Sequence, residues 1–353
     1  MKFLVTGASG FLGNYIVREA LRQGHAVRAM VRPSADISKL GWPHTDKLEI
    51  VRADLRSRNG LVDAVGGVDS VIHLAAAKSG DVYTQYAGTV VATENLLAAM
   101  TEAGFRRIVA ISSFSVYDMV RASPLAALDE QTPLESDALN RDAYAHTKLV
   151  QERLIRAHAA ANKWSLVVLR PGMIWGKDNL LNAWMGMPAG TRFWIRTGAW
   201  AKVPLTYVEN CAEAIVMAAT SESAEGQTFN IVDDGAPTQR AFTRMVLRRL
   251  TPRRRVIPVP YGLLRLTAGS IALVNRWFLG NRARVPSLLV PCRLAARGRP
   301  LNYSNRKIKT VLGWKPRYTL EQGLDRSLST PSQEQPPPPA GTPAPSAADL
   351  QTA

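Results

Sequence analysis

Tyr144 and Lys148 stand four residues apart in Tyr144-Ala145-His146-Thr147-Lys148. On a helix that spacing puts a phenol and an ammonium on one face. A cation so placed lowers the phenol's pKa toward working pH, so Tyr144 can take up or release a proton as another bond changes. Ser113, in Ser112-Ser113-Phe114-Ser115-Val116-Tyr117, adds a hydroxyl able to polarise a substrate oxygen.

A second constellation lies at the start of the chain, in Thr6-Gly7-Ala8-Ser9-Gly10-Phe11-Leu12-Gly13. Gly7 permits a tight turn, Gly10 lets the backbone approach a pyrophosphate, and Gly13 allows a helix to pack closely on a strand. The helix that follows offers its free amides to the anion, with Phe11 and Leu12 in its first turn. Asp54-Leu55 places a carboxylate where an adenine amino group could donate to it. His73-Leu74-Ala75-Ala76-Ala77 ends a strand in small residues against which a dinucleotide can lie. Arg32 closes the second strand where an acid would hold a ribose 2′-hydroxyl, and an arginine there suits a 2′-phosphate. The expected cofactor is NAD(P), with NADP favoured over NAD; Asp36 is the residue that could reverse this if its loop folds back.

The elements that must position these groups are legible as short β-branched runs alternating with helical stretches, the pattern of βα units. Strands are predicted over Lys2 to Thr6, Ala26 to Val31, Leu48 to Arg52, Ser70 to Leu74, Arg107 to Ser112 and Ser165 to Leu169. Helices are predicted from Phe11 to Gly24, from Thr84 to Ala103 and from Tyr144 to Ala161. The fold class is α/β: a doubly wound parallel sheet with a smaller C-terminal substrate cap. Residues 1–170 form the dinucleotide-binding domain, completed by 203–232, while 171–202 and 233–328 form the cap. The Trp-rich stretch after Pro171 is expected to supply pocket walls. Residues 329–353, rich in proline and alanine, are expected to be a disordered tail.

With these motifs in place, the chain resembles the NAD-dependent epimerase/dehydratase family, the extended short-chain dehydrogenases, from Met1 to about Leu328. The resemblance includes Leu169-Arg170-Pro171-Gly172-Met173-Ile174-Trp175-Gly176, Thr206-Tyr207-Val208-Glu209-Asn210, Phe229-Asn230-Ile231 and Leu312-Gly313-Trp314-Lys315-Pro316. It implies Ser113, Tyr144 and Lys148 as the catalytic triad and Gly7, Gly10, Gly13, Asp54 and Ala75 as cofactor contacts, with Pro171 on a cofactor and substrate loop. Two departures stand out. Family dehydratases carry an acidic pair where this chain has Phe114-Ser115, which argues against elimination of water, and Thr89 stands where many members have asparagine.

The composition is that of a soluble globular protein: 46% hydrophobic and 20% charged residues over 353 positions. No basic leader precedes the first strand, so a cytoplasmic protein is expected. Cys211 and Cys292 fall in no metal-ligand or disulfide pattern, and neither a metal nor a disulfide is predicted. The net charge of +16 is concentrated: nineteen Lys or Arg and no Asp or Glu lie between Arg240 and Arg317. Such a field attracts an anionic small-molecule substrate, an anionic membrane or nucleic acid; no nucleic-acid motif accompanies it. Within it, 257–279 is apolar but broken by Arg265 and Arg276, which suits a lid helix, ordinary packing or a peripheral membrane contact. A homodimer through the helices at Thr84 and Tyr144 is the family's habit.

Three functions fit. One is an epimerase or reductase of a nucleotide-linked sugar. The second is a one-way dehydrogenase or reductase of a hydrophobic alcohol or ketone, akin to hydroxysteroid or dihydroflavonol enzymes of the superfamily. The third is a non-catalytic NAD(P)-sensing protein.

Overall fold

The computed structural model describes the chain except for residues 124–126, 137–141, 183, 281–284, 286–288 and 330–353. The tail expected beyond Ser329 therefore lies outside the described residues.

Seven strands form one parallel sheet: β1 (Lys2–Thr6), β2 (Ala26–Val31), β3 (Leu48–Arg52), β4 (Ser70–His73), β5 (Arg107–Ile111), β6 (Ser165–Pro171) and β7 (Thr228–Ile231). Their order across the sheet is β7-β6-β5-β4-β1-β2-β3, with every neighbouring pair parallel. The chain winds outward from β1 in one direction and then from β4 in the other. The crevice at the carboxyl ends of β1 and β4 is thus the switch point at which such sheets bind ligands. Thr6 and His73, the last residues of those two strands, pair in register.

Both faces of the sheet are covered at its centre, so the inner strands are largely apolar, whereas the edge strand β3 keeps Glu49, Ile50 and Arg52 exposed. Phe3, Val5, Val27 and Ala29 pack on α1 (Phe11–Arg22) and α4 (Val208–Thr220). Leu4, Met30, Val71 and Ile108 face the other way, onto α2 (Ala92–Glu102) and α3 (Ala143–Asn162). Each of these buried side chains larger than alanine contributes about 1.5–3 kcal/mol relative to exposure. α3 starts where Asp142 accepts a hydrogen bond from the Ala145 amide, and it stops where Lys163 turns left-handed.

The single helix expected from Thr84 to Ala103 has an internal break in its pattern. A turn of α-helix at Val82–Tyr86 leads into a π-helical stretch at Ala87–Val91 before α2 begins. The wider turn presents Thr89 to the loop after β4: its hydroxyl accepts from the Ala77 amide at 3.0 Å. Threonine at this position therefore ties the helix to the loop that borders the crevice.

Beyond β6 the chain forms smaller sheets. Met173–Trp175 pairs with Leu205–Tyr207, so the latter strand lies outside the large sheet. Phe193–Arg196 pairs with Met187–Ala189 and with Arg255–Pro258. The tryptophans of this region do not line a pocket as a group. Trp175 and Trp194 are fully buried in the main core, and Trp200 is exposed. Trp194 can be buried because its indole N–H donates to the Met185 carbonyl at 2.8 Å. Two more helices follow, α5 (Gln239–Arg249) and α6 (Tyr261–Phe278).

Candidate active site

The glycine corner joins β1 to α1. Gly7 has a positive φ of 68°, and a Cβ at Gly13 would lie 2.2 Å from the Gly7 carbonyl oxygen. The helix can approach the strand this closely only because Gly13 has no side chain. Gly10 caps α1 without any side-chain hydrogen bond, which leaves the first amides of the helix unclaimed. They open on a cavity of about 610 Å³ whose lining includes Ser9, Phe11, Arg18, Lys39, Lys78 and Lys177. Four cations against one acid, Asp178, beside a helix N-terminus are what a dinucleotide's phosphates require. The residues present therefore fit a dinucleotide.

The other residues expected to contact the cofactor are spread around this corner. The Ala75 amide donates to the Thr6 hydroxyl at 3.3 Å, and Ala76 continues the same loop. Asp54 lies past β3, half-bound by Arg56 at 2.6 Å and near enough to Arg32 for their charges to interact. Arg32 is not among the residues that line the cavity; Arg18 and Lys39 are. Leu12 and Leu55 are buried, one on each face of the sheet. Pro171 closes β6, paired with Ile231.

At the carboxyl end of β5, Ser113 has extended backbone and its Oγ accepts from the Ser115 amide at 3.1 Å, which starts a short 3-10 turn. The Tyr144 phenol, from the first turn of α3, lies close enough to the Ser113 hydroxyl for the two to interact. Burial pushes the phenol's pKa up, and the Ser113 hydroxyl only partly opposes this. The depression expected from Lys148 is not present, for a structural reason. The Lys148 ammonium, buried on the same helix, is bound at 2.5 Å by the Ile111 carbonyl and at 2.5 Å by the Gln151 amide oxygen. Burial pushes its own pKa down to about 7, with Glu152 opposing and Lys78 adding to the shift.

Gln151, three residues after Lys148, heads a buried chain that the sequence did not disclose. Its amide nitrogen donates to the Thr93 hydroxyl at 2.8 Å and to the Ala75 carbonyl at 3.2 Å. Thr93 also contacts His73 Nε2 at 2.9 Å, and His73 Nδ1 contacts the Thr6 hydroxyl at 2.8 Å. Lys148 is thereby linked through Gln151 to the Ala75 carbonyl and, by way of Thr93 and His73, to the Thr6 hydroxyl. The i, i+3 spacing of Lys148 and Gln151 was the available signal. One turn further on, Glu152 accepts from Ser112 at 2.5 Å and pairs with Arg170 at 2.5 Å. Burial works to raise that carboxyl's pKa, but Arg170, Ser112 and Arg156 outweigh it and hold it low.

His73 supplies a test of this network. Burial, aided by the Lys148 charge, pushes its pKa down to about 3. Between the ordinary value of 6.5 and about 3, the unfolded chain binds a proton that the folded one does not. The stability due to neutral His73 is thus full above 6.5 and lost as pH falls, by about 1.4 kcal/mol per pH unit. Asp233, raised to about 7 chiefly by burial, acts in the opposite sense over much of that window. The prediction is therefore made on a difference: the stability gap between the natural protein and His73→Asn, from denaturant melts, should close as pH falls from 6.5. A gap independent of pH would refute it.

A doubly wound sheet with a glycine corner at its switch point is an architecture that binds dinucleotides. The chain belongs to the NAD dependent epimerase/dehydratase family, whose model matches residues 3–232. It is 29% identical over 331 residues to a 4-hydroxy-2-methyl-3-oxo-4-farnesyl-3,4-dihydroquinoline-1-oxide ketoreductase of Stigmatella aurantiaca, covering 92% of this chain and 95% of the relative. A 3 beta-hydroxysteroid dehydrogenase/Delta 5-->4-isomerase of Mycobacterium tuberculosis is 28% identical, covering 93% of this chain and 89% of the relative. The N-acetyl-alpha-D-glucosaminyl-diphospho-ditrans,octacis-undecaprenol 4-epimerase of Escherichia coli O157:H7 is 27% identical, over 92% and 93%. In fold, the chain is similar to the epimerase Mth375 of Methanothermobacter thermautotrophicus, with a TM-score of 0.72 at 18% identity, covering 93% of this chain and 90% of that one.

Proposed function

We propose that the chain reduces a ketone, or oxidises the matching secondary alcohol, on a lipid-soluble molecule. The observation that carries this reading is the proximity of the Tyr144 phenol to the Ser113 hydroxyl at the end of β5, with only β4 between that strand and the glycine corner on β1. Two hydroxyls close together there can hold one substrate oxygen: Ser113 polarises it and Tyr144 exchanges the proton. A nicotinamide dinucleotide, when bound, supplies or accepts the hydride. An ammonium has three donors, and Lys148 commits two of them to Ile111 and Gln151. The third is left for a ribose hydroxyl, and a fully charged Lys148 would then favour loss of the buried phenol's proton. Phe114 is buried and Ser115 cannot act as an acid, which supports redox chemistry without elimination of water.

Arg18 and Lys39 on the cavity wall, together with Arg32 after β2 but outside the wall, support NADP over NAD. The substrate class rests on likeness: relatives named for a farnesylated quinoline oxide, a steroid and an undecaprenol-linked sugar all act on molecules with a large apolar part.

The experiment presents the protein with NADPH or NADH and either steroid and long-chain ketones or nucleotide sugars. Net loss of reduced nicotinamide with a lipophilic ketone, faster with NADPH, is the expected result. A sugar interconverted with no net change would instead establish an epimerase. Turnover of neither class would overturn the proposal.

A further inference from the structure

Two features outside the crevice remain without a partner. The first is α6. Over its 18 residues it buries only Leu264, Ala268 and Asn275, a stripe one residue wide. Among the described residues, 22 large apolar side chains are exposed, and ten of them fall between Val256 and Leu279. Leu266 is 71% exposed, Trp277 75% and Phe278 82%. Exposed apolar residues scattered singly need no explanation, but a run of this density marks a contact surface. The charges on α6 are Arg265 and Arg276, both positive.

The second is a groove of about 650 Å³ between α5 and the strands Phe193–Arg196 and Arg255–Pro258. Arg196, Arg240, Arg244, Arg248, Arg253 and Arg254 line it, and no acidic residue does. The Arg196 Nε and an Arg254 NH1 are buried without a hydrogen-bond partner, although Arg254 lies over the Trp194 ring at 5.5 Å. Buried donors of this kind are costly unless something accepts from them. Burial, followed by the charges of Arg240 and Arg244, holds the Arg196 guanidinium below its ordinary pKa. Groove and helix are physically joined, since the Val259 amide at the foot of α6 donates to the Arg196 carbonyl at 2.9 Å.

We propose that the arginine groove and α6 together dock the protein on an anionic phospholipid bilayer, the guanidiniums taking headgroup phosphates and α6 lying in the interface. Among the described residues no helix is long and apolar enough to cross a membrane. A helix of this length with an apolar surface, positive charges and aromatic residues at one end is suited to lying in the interfacial plane. A second copy of the chain is a poor occupant, because it would oppose one arginine field to another. A free phosphate would satisfy the groove but leave the helix uncovered. The proposal does not depend on the reaction.

The test is co-sedimentation of the full chain with vesicles of phosphatidylcholine alone or mixed with phosphatidylglycerol. Binding to the mixed vesicles, little to the neutral ones, and weakening by salt are expected. Each surface cation is worth about fivefold in partitioning, so Arg244→Ala with Arg248→Ala should lower it tenfold or more. Trp277→Ser with Phe278→Ser should also release the protein, both double variants retaining dinucleotide binding as evidence of folding. Inorganic phosphate, matched in ionic strength against chloride, should weaken binding no further than the arginine double variant does and should not displace the protein from the vesicles. Absence of binding, equal binding to neutral vesicles, displacement by phosphate, or a dimer that the Trp277→Ser and Phe278→Ser pair dissolves would each overturn it.

Discussion

Tyr144→Phe is expected to lower kcat by about 10²–10⁴-fold, the usual worth of a positioned proton carrier, while dinucleotide affinity stays near that of the natural protein. The reason is local. The substitution removes one oxygen, leaves the apolar ring in place on α3 and takes the phenol away from the Ser113 hydroxyl beside it. Lys148 keeps Ile111 and Gln151 as partners, so the ammonium that would hold the ribose is undisturbed. Parallel measurement of turnover and of cofactor binding by fluorescence titration checks both halves. Unchanged turnover would remove Tyr144 from the chemistry, and a matching loss of cofactor affinity would make it a structural residue.

Gly13→Ala should have the largest effect on binding. Its Cβ would sit 2.2 Å from the Gly7 carbonyl oxygen and 2.8 Å from the Ala8 Cα, both backbone atoms that cannot rotate away. α1 must then move off β1, and its free amides no longer point at the corner. Displacements of about 1 Å can cost a hundredfold in a positioned site, so a loss of dinucleotide affinity of about that size is expected. Gly24, beyond the other end of the same helix, makes the control: its φ is also positive, but a Cβ there meets nothing within 4 Å. Gly24→Ala should cost about 1–2 kcal/mol of stability through its left-handed backbone and leave affinity intact. Equal affinity in Gly13→Ala would mean that the close approach is not needed for the ligand.

What was legible in the sequence was what local pattern dictates. The strands are β-branched runs bounded by turn residues, and each formed within a residue or two of its predicted limits. The glycine corner was legible because close packing of a helix on a strand leaves glycine as its mark. Features that depend on partners distant in sequence were not. Lys148 was expected to act on Tyr144, yet Ile111 and Gln151 claim it, and the link from Gln151 to Thr93 and His73 spans three elements. The π-helical turn at Ala87–Val91 answers to the Ala77 amide and has no periodic signature. Trp175 and Trp194 sat among glycines that suggested a pocket wall, and only tertiary packing put them in the core. The arginine groove draws on three separate segments, so composition reported its charge but not its shape.

The most direct measurement follows a label. The protein is supplied with reduced nicotinamide dinucleotide carrying deuterium at both positions of the reactive carbon, together with the ketone that best consumes it, and the product alcohol is weighed by mass spectrometry. One deuterium on the product carbon, formed by the natural protein and nearly absent with Tyr144→Phe, is the result predicted here. An alcohol without the label, or one formed equally well by Tyr144→Phe, would contradict hydride transfer governed by this phenol.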